Sequence, residues 1–488
     1  GIDPTELRFE LRGPQGSVAA EVEWRGPATG SGVEFRLDLP LQAAFWGGPV
    51  LPLAQGTYRL WAGTDTDSLA VRLAPERIAQ LPESFESSRL NAELGRVGAD
   101  VPGVQVQPPL RVDEAGLFAF ETQQRRYRTT PSRVDRSVYF ESFYARSATD
   151  SPRAIHEELV RRGTDRTLYW TVADYSVQVP EGATPLLWKS REWWEVLSKS
   201  SYFFFNCGAP IPIRKHKRPG QVLVQTWHGT PLKLLGHDRP VNRERPNYKK
   251  LQVGLSSDWD FLLAQNPYSA EIFRRAYFYD GELLELGYPR NDDLVNTPPE
   301  QVARIRAGLG IPEDKKVILY APTWRDGEGH IVGYLDLEWL GRQLGPDYFF
   351  LLRGHTNSLR PGARVFGTNI IDATSYPQLN DLLLVADIVV TDYSSIMFDY
   401  TVTGKPIQFF VPDYDDYRDR RRGLYFDLAS SAPGPVTYRR EDLVETLRDA
   451  DRLHAEHAAA YAAWRERFNP RDDGKAAARV VDAVFGDD

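Results

Sequence analysis

Apolar and polar positions alternate with a period of two through the first quarter of the chain. Leu7, Phe9 and Leu11 alternate with Arg8 and Glu10, and Ala20, Val22 and Trp24 with Glu21 and Glu23. Val33, Phe35, Leu37 and Leu39 alternate with Glu34, Arg36 and Asp38, and Tyr58–Trp61 and Leu69–Leu73 continue the series between Gly- and Pro-containing turns. A period of two with closely spaced turns predicts an all-β, sandwich-like domain over residues 1–125. It holds no histidine and no cysteine. An accessory role in spacing, docking or carbohydrate contact is therefore expected of it. Residues 126–136, with Arg126, Arg128, Arg133 and Arg136, read as a solvated linker in preference to a basic contact surface.

The period changes after Arg136. Val138-Tyr139-Phe140-Glu141 reads as a strand, and Ser151-Pro152 opens a helix, with serine as N-cap and proline at the first helical position. Apolar runs at 167–172, 184–188, 201–205, 222–225 and 261–264 follow, with amphipathic segments between them. Strands alternating with helices predict a parallel sheet flanked by helices, here over 137–299. Residues 300–488 repeat the logic. The runs Val317–Ala321, Tyr348–Leu352, Ala386–Thr391 and Pro406–Val411 read as strands, the first three running into Pro322-Thr323-Trp324-Arg325, Arg353-Gly354-His355 and Asp392-Tyr393-Ser394-Ser395. Open α/β sheets bind ligands at the C-terminal strand ends, where these polar groups fall. In the first half the run Val222–Gln225 ends in Thr226-Trp227-His228-Gly229-Thr230-Pro231. One histidine per half at the equivalent edge points to a site between the halves.

Composition narrows the classes. With 488 residues the chain is too long for one core. A net charge of −8 argues against nucleic acid as a partner. One cysteine, Cys207, excludes internal disulfides and thiolate zinc clusters. No apolar run approaches the length of a membrane span. The chain opens on Gly1-Ile2-Asp3-Pro4 and its single methionine is Met397. We read it as a segment of a longer polypeptide, whose remainder has room for a second transferase.

Two serines at the head of a helix after a strand present free N–H groups and hydroxyls to an anion, so Ser394 and Ser395 are phosphate candidates; the competing reading is a plain serine N-cap. Asp399 lies one turn on, within reach of ribose hydroxyls, or else simply solvated or paired. Arg290, Arg325 and Arg353 are placed to grip phosphate bidentately. No carboxylate cluster has metal-site spacing, and no Gly-rich P-loop or dinucleotide fingerprint occurs. His228 and His355 have the pKa of general bases near neutrality, one able to take a proton and the other to stabilise phosphoryl charge.

With these motifs, together with Gly287-Tyr288-Pro289-Arg290-Asn291-Asp292 and Gly404-Lys405-Pro406, the chain resembles the CDP-glycerol:poly(glycerophosphate) glycerophosphotransferase family over about residues 137–485. That family comprises teichoic-acid polymerases and their capsule relatives. The resemblance implies a GT-B fold, two Rossmann-like domains around a cleft. It implies attack by a chain-end hydroxyl on the β-phosphorus of a CDP-polyol, most simply CDP-glycerol, with release of CMP. By the same resemblance His228 is the base and His355 the phosphate stabiliser. Arg290, Arg325, Ser394 and Ser395 hold the donor pyrophosphate, and Asp392 or Asp399 shapes the nucleotide pocket. Gly229, Thr230 and Thr323 complete the donor-binding set, and Asp473 either lines the cleft or caps a helix. No cofactor and no metal are expected. The expected acceptor is an anionic glycan or polyol-phosphate chain. The expected location is cytoplasmic, peripheral on the inner membrane face, with 214–218 and 418–422 read either as basic contacts for anionic lipid or as plain solvated loops. Two alternatives stand: a GT-B nucleotide-sugar glycosyltransferase, or a carbohydrate-binding module carrying an inactive transferase domain.

Overall fold

The computed structural model describes residues 6–486 apart from 28–32, 65–67, 70, 99, 211, 215, 324–334 and 355–368. Two parallel sheets dominate it. The first has seven strands in the order Ala183–Leu187, Leu168–Val172, Val138–Glu141, Tyr202–Phe205, Val222–Gln225, Phe261–Ala264 and Glu282–Glu285. The second has six: Ile370–Asp372, Tyr348–Leu352, Lys316–Ala321, Ile388–Thr391, Ile407–Phe410 and Val436–Thr437. In both, the earliest strand lies in the interior and the order reverses beside it. That reversal opens a crevice at the C-terminal strand ends. The two Rossmann-like lobes expected of a GT-B fold are therefore present. Their central strands are apolar throughout because helices cover both faces of the sheets, as with Phe140, Phe204, Val317 and Leu319, each at most 0% exposed.

The N-terminal region forms a seven-stranded antiparallel sheet and two separate two-stranded hairpins. Leu11, Tyr58, Val104 and Val106 make its core, and Leu39, Leu41, Ala43 and Phe45 from the hairpin region pack against that core. Hairpins, not a second full sheet, thus cover the sheet.

Two expected boundaries shift. The linker assigned to 126–136 begins inside a helix, Gly116–Thr129. Tyr127 is buried there among Trp193, Trp194 and Leu197, and Arg218 stacks on its ring at 4.8 Å. Within 126–136, Tyr127 sits between Arg126 and Arg128, both exposed to solvent. The last helix, Ala476–Phe485, belongs by packing to the first lobe although its sequence follows the second. Val480, Val481, Val484 and Phe485 join Val138, Phe140 and Phe204 in one core, and Arg162 reaches Asp482 at 2.6 Å. Asp292 accepts from the N–H groups of Ala476 and Ala477 at 2.9 and 2.8 Å, satisfying that helix's orphan donors.

Candidate functional site between the lobes

The strand Val222–Gln225 delivers His228 to the edge where the lobes meet. Gln225 turns the chain, its Oε1 accepting from the Trp227 N–H at 2.8 Å. Trp227 adopts a left-handed backbone (φ 58°), and its indole is held by Phe273 and Tyr277 at 5.0 Å each. The His228 ring stacks on it at 4.9 Å. His228 Nδ1 lies 2.6 Å from the carbonyl oxygen of Asn206. A carbonyl only accepts, so Nδ1 carries the proton and Nε2 presents a lone pair. Burial lowers the imidazole pKa; the Asn206 carbonyl and the Asp150 charge oppose this, and Arg290 and Lys233 reinforce it. His228 is accordingly neutral at pH 7, the protonation state a general base requires.

Gly229 follows where the first lobe meets Ser395 of the second. A Cβ there would stand 2.7 Å from Ser395 Oγ, so only glycine allows this contact. Thr230 is buried, its Oγ1 at 3.5 Å from Asn266 Nδ2, which also donates to the Phe468 carbonyl across the lobe boundary at 2.7 Å.

Arg290 departs from its expected role. It is 8% exposed and lies between two carboxylates, Asp150 of the first lobe and Asp399 of the second, each 2.6 Å from a different guanidinium nitrogen. Nη1 also donates to the His228 carbonyl at 3.2 Å, and the guanidinium covers the Tyr288 ring at 4.2 Å. Burial works against its charge, but Asp150 and Asp399 prevail and raise its pKa above the usual arginine value. Asn380 of the second lobe donates to the Arg290 carbonyl. Two of its nitrogens hold buried carboxylates, while the buried Nε–H has no hydrogen-bond partner among the described residues. Arg290 is thus a strut between the lobes, and the Asp399 carboxylate is turned onto it.

On the second lobe, Asp392 is 2% exposed and accepts from the N–H groups of Thr323 at 2.8 Å and Tyr393 at 2.5 Å. It ties together the ends of the two strands flanking the order reversal and shapes that crevice through backbone. Ser394 and Ser395 are half-buried ahead of the short helix Ile396–Tyr400. Arg353 is committed to the carbonyls of Ala373, Thr374 and Tyr376 at 2.9, 2.8 and 2.5 Å, and burial pushes its pKa down to about 10. It is a loop anchor, not a phosphate grip. Trp324, Arg325 and His355 lie outside the described residues.

Asp473 does not face the junction. It is exposed and paired with Arg479 at 2.8 Å. Its neighbour Asp472 faces inward, accepting from Asn469 Nδ2 at 2.8 Å and the Tyr288 N–H at 3.1 Å. The two basic runs are largely engaged within the chain. Lys217 pairs with Asp260 at 2.6 Å, Arg218 donates to the Tyr127 carbonyl at 2.6 Å, Arg418 pairs with Asp419 at 2.7 Å and Arg421 with Asp416; Lys215 lies outside the described residues.

Asp150, Asn206, Asn380 and Asp472 were missed. Asp150 had a signal, since it directly precedes Ser151-Pro152. The helix there begins at Asp150, one residue before the predicted cap, and Asp150 Oδ1 accepts from the Ser151 N–H at 2.6 Å. Asn206 and Asn380 act through partners remote in sequence, and Asp472 through the Tyr288 N–H as well as nearby Asn469.

A sequence model described as CDP-Glycerol:Poly(glycerophosphate) glycerophosphotransferase matches residues 124–486. Among curated proteins, the teichoic acid poly(glycerol phosphate) polymerase of Staphylococcus epidermidis is 37% identical over 369 residues, covering 72% of this chain and 51% of the relative. The teichoic acid glycerol-phosphate transferase of Staphylococcus aureus is 34% identical over 71% of this chain and 92% of its own length. The chain thus spans about half the length of the first of these. A solved structure of the wall teichoic acid polymerase TagF superposes with a TM-score of 0.69 at 35% identity, covering 76% of this chain and 94% of the TagF chain. Another TagF structure is of a histidine variant soaked with CDPG.

Proposed function

Because the chain belongs to the CDP-glycerol:poly(glycerophosphate) glycerophosphotransferase family, we propose that it transfers a polyol phosphate, glycerol phosphate in the first instance, from a CDP-polyol to the terminal hydroxyl of a teichoic-acid-like polymer. The observation that carries the reading is His228: burial keeps its pKa low, and Nδ1 lies on the Asn206 carbonyl, so the neutral ring presents Nε2 as the acceptor. Nε2 takes the proton of the attacking hydroxyl as its oxygen bonds to the β-phosphorus. The bond from the β-phosphorus to the bridging oxygen breaks, and CMP leaves with both bonding electrons. His355, the second imidazole of the reading, stabilises phosphoryl charge. Gly229, Thr230, Thr323, Arg325, Ser394 and Ser395 remain the donor-binding set. Transfer of this kind depends on positioning and charge stabilisation, which side chains can supply without a cofactor. An anionic polymer end is the acceptor, and the inner face of the membrane is the workplace. Among the described residues no helix is long and apolar enough to cross a membrane.

The test is nucleotide release from CDP-glycerol with and without a glycerol-phosphate polymer, in chelator. Acceptor-dependent CMP, abolished in His228→Ala, is expected. Release of CDP from nucleotide sugars in its place would move the chain to the glycosyltransferase reading.

A further inference from the structure

The turn Phe45-Trp46-Gly47-Gly48 of the N-terminal region lies outside the family match, which begins at residue 124. It touches both lobes at once. On the second lobe, Trp46 packs edge-on against Tyr376 with ring centroids 5.6 Å apart and joins the apolar core there. A Cβ added at Gly47 would stand 3.9 Å from the Gly308 Cα. On the first lobe, a Cβ at Gly48 would lie 3.9 Å from Gln178 Oε1. Nearby, the Gln55 N–H donates to buried Asp174 at 2.7 Å, and Arg89 sits over the Tyr175 ring at 5.8 Å. Both lobes are met just beyond strand C-termini: Asp174 follows Leu168–Val172, and Tyr376 follows Ile370–Asp372.

Trp46 holds a left-handed backbone, φ 58°, which a tryptophan adopts at a cost. The turn is closed by the Gly48 N–H on the Phe45 carbonyl at 3.0 Å. Strain of this kind persists where the surroundings over-determine it, and here the surroundings are two lobes that must hold a fixed relation.

The contact continues inward. The Tyr376 carbonyl accepts from Arg353 Nη1, as do the carbonyls of Ala373 and Thr374. The Gly354 N–H donates to Thr374 Oγ1 at 2.9 Å, and the Ala373 N–H to the Leu352 carbonyl at 2.8 Å. Residues 373–376 therefore form the seat of the strand end Leu352-Arg353-Gly354, and His355 is the next residue in sequence. Among the described residues, the ring on the outer side of that seat at Tyr376 is Trp46.

We propose that the N-terminal β region is a brace for the transferase lobes, and that Trp46 is a positioning residue acting through Tyr376 and Arg353 on the strand end that leads into His355. For its catalytic consequence the inference rests on the transferase reading above; its structural part does not.

The experiment uses the full chain with Trp46→Ala and Trp46→Phe. Hydrogen exchange is followed at the amides of Arg353, Gly354 and Ala373, and CMP release gives kcat and donor KM. Trp46→Ala is expected to speed exchange at those amides at least about fivefold. It should lower kcat about tenfold with donor KM within about twofold, since the loss is of alignment, not donor contact. Trp46→Phe, which keeps an edge for Tyr376, should restore both. Should Trp46→Ala fail to fold, Trp46→Leu is read in its place. Unchanged exchange overturns the proposal, and so does faster exchange with unaltered kcat. If the wild type releases no CMP, the transferase reading fails, and exchange alone decides whether the brace exists.

Discussion

Replacing Arg290 with alanine separates the strut from the phosphate-ligand role that the sequence suggested. The substitution leaves Asp150 and Asp399, whose side chains are each 3% exposed, facing one another with no countercharge. Breaking a buried pair by removing one partner costs about 3–5 kcal/mol, because the charge left behind is neither solvated nor compensated. Units the size of these lobes lose about 2–4 °C of melting temperature per kcal/mol, so the apparent midpoint should fall by about 6–20 °C. The measurement is a thermal melt of the whole chain at pH 7, followed by a probe that reports both lobes, since a multidomain chain need not unfold in one step. Arg290→Lys should recover only part of the loss, because an ammonium cannot present two separated N–H groups to two carboxylates as the guanidinium does. If Arg290→Ala melts with the wild type and the donor KM rises instead, the strut argument is wrong and Arg290 is a donor ligand after all.

Two predictions concern pH. Burial lowers the His228 pKa below its usual 6.5, so the acid limb of kcat/KM should fall below pH 6.5; a limb at or above neutrality excludes this imidazole as the base. The sign for stability agrees. A depressed folded pKa means the unfolded chain binds the proton more readily, so the His228 contribution is complete above 6.5 and is lost as pH falls through the folded value. Glu141 shows the opposite sense. Burial, opposed by the Tyr139 hydroxyl and the Arg214 charge, pushes its pKa up from 4.5 to about 7. Its contribution is full below 4.5 and lost as pH rises through about 7, a difference worth roughly 3 kcal/mol. Glu141→Gln should therefore flatten the decline in melting temperature between about pH 5 and 8, and an unchanged slope would show that Glu141 ionises at no cost.

The site was legible in the sequence where chemistry is carried by neighbours along the chain. The strand followed by Trp227-His228-Gly229 places an imidazole and a glycine at the ligand edge, and the structure sets both at the lobe junction, because strand-end position and residue type are local facts. The arginines were read less well. Arg290 and Arg353 were recognised as cations near the ligand edge, but a cation's task depends on what faces it. Asp150 is 140 positions away from Arg290 and Asp399 is 109 away on the other side. Arg353 spends its charge on three carbonyls from a loop twenty residues on. Asp473 and Asp472 show the same limit at the smallest scale. Adjacent carboxylates on one turn point oppositely, and only the packing of the Ala476–Phe485 helix selects which faces inward.

The sequence alone was sufficient for the two lobes and for the place of His228 at a strand end, because the period of apolar residues and the residue types at strand ends are properties of short stretches of chain. Which polar groups remain open to a substrate was decided only by the tertiary structure. A buried charge takes the nearest compensating partner that the fold supplies, and that partner is set by the meeting of the lobes and the return of the last helix, which come from packing between segments far apart in the chain.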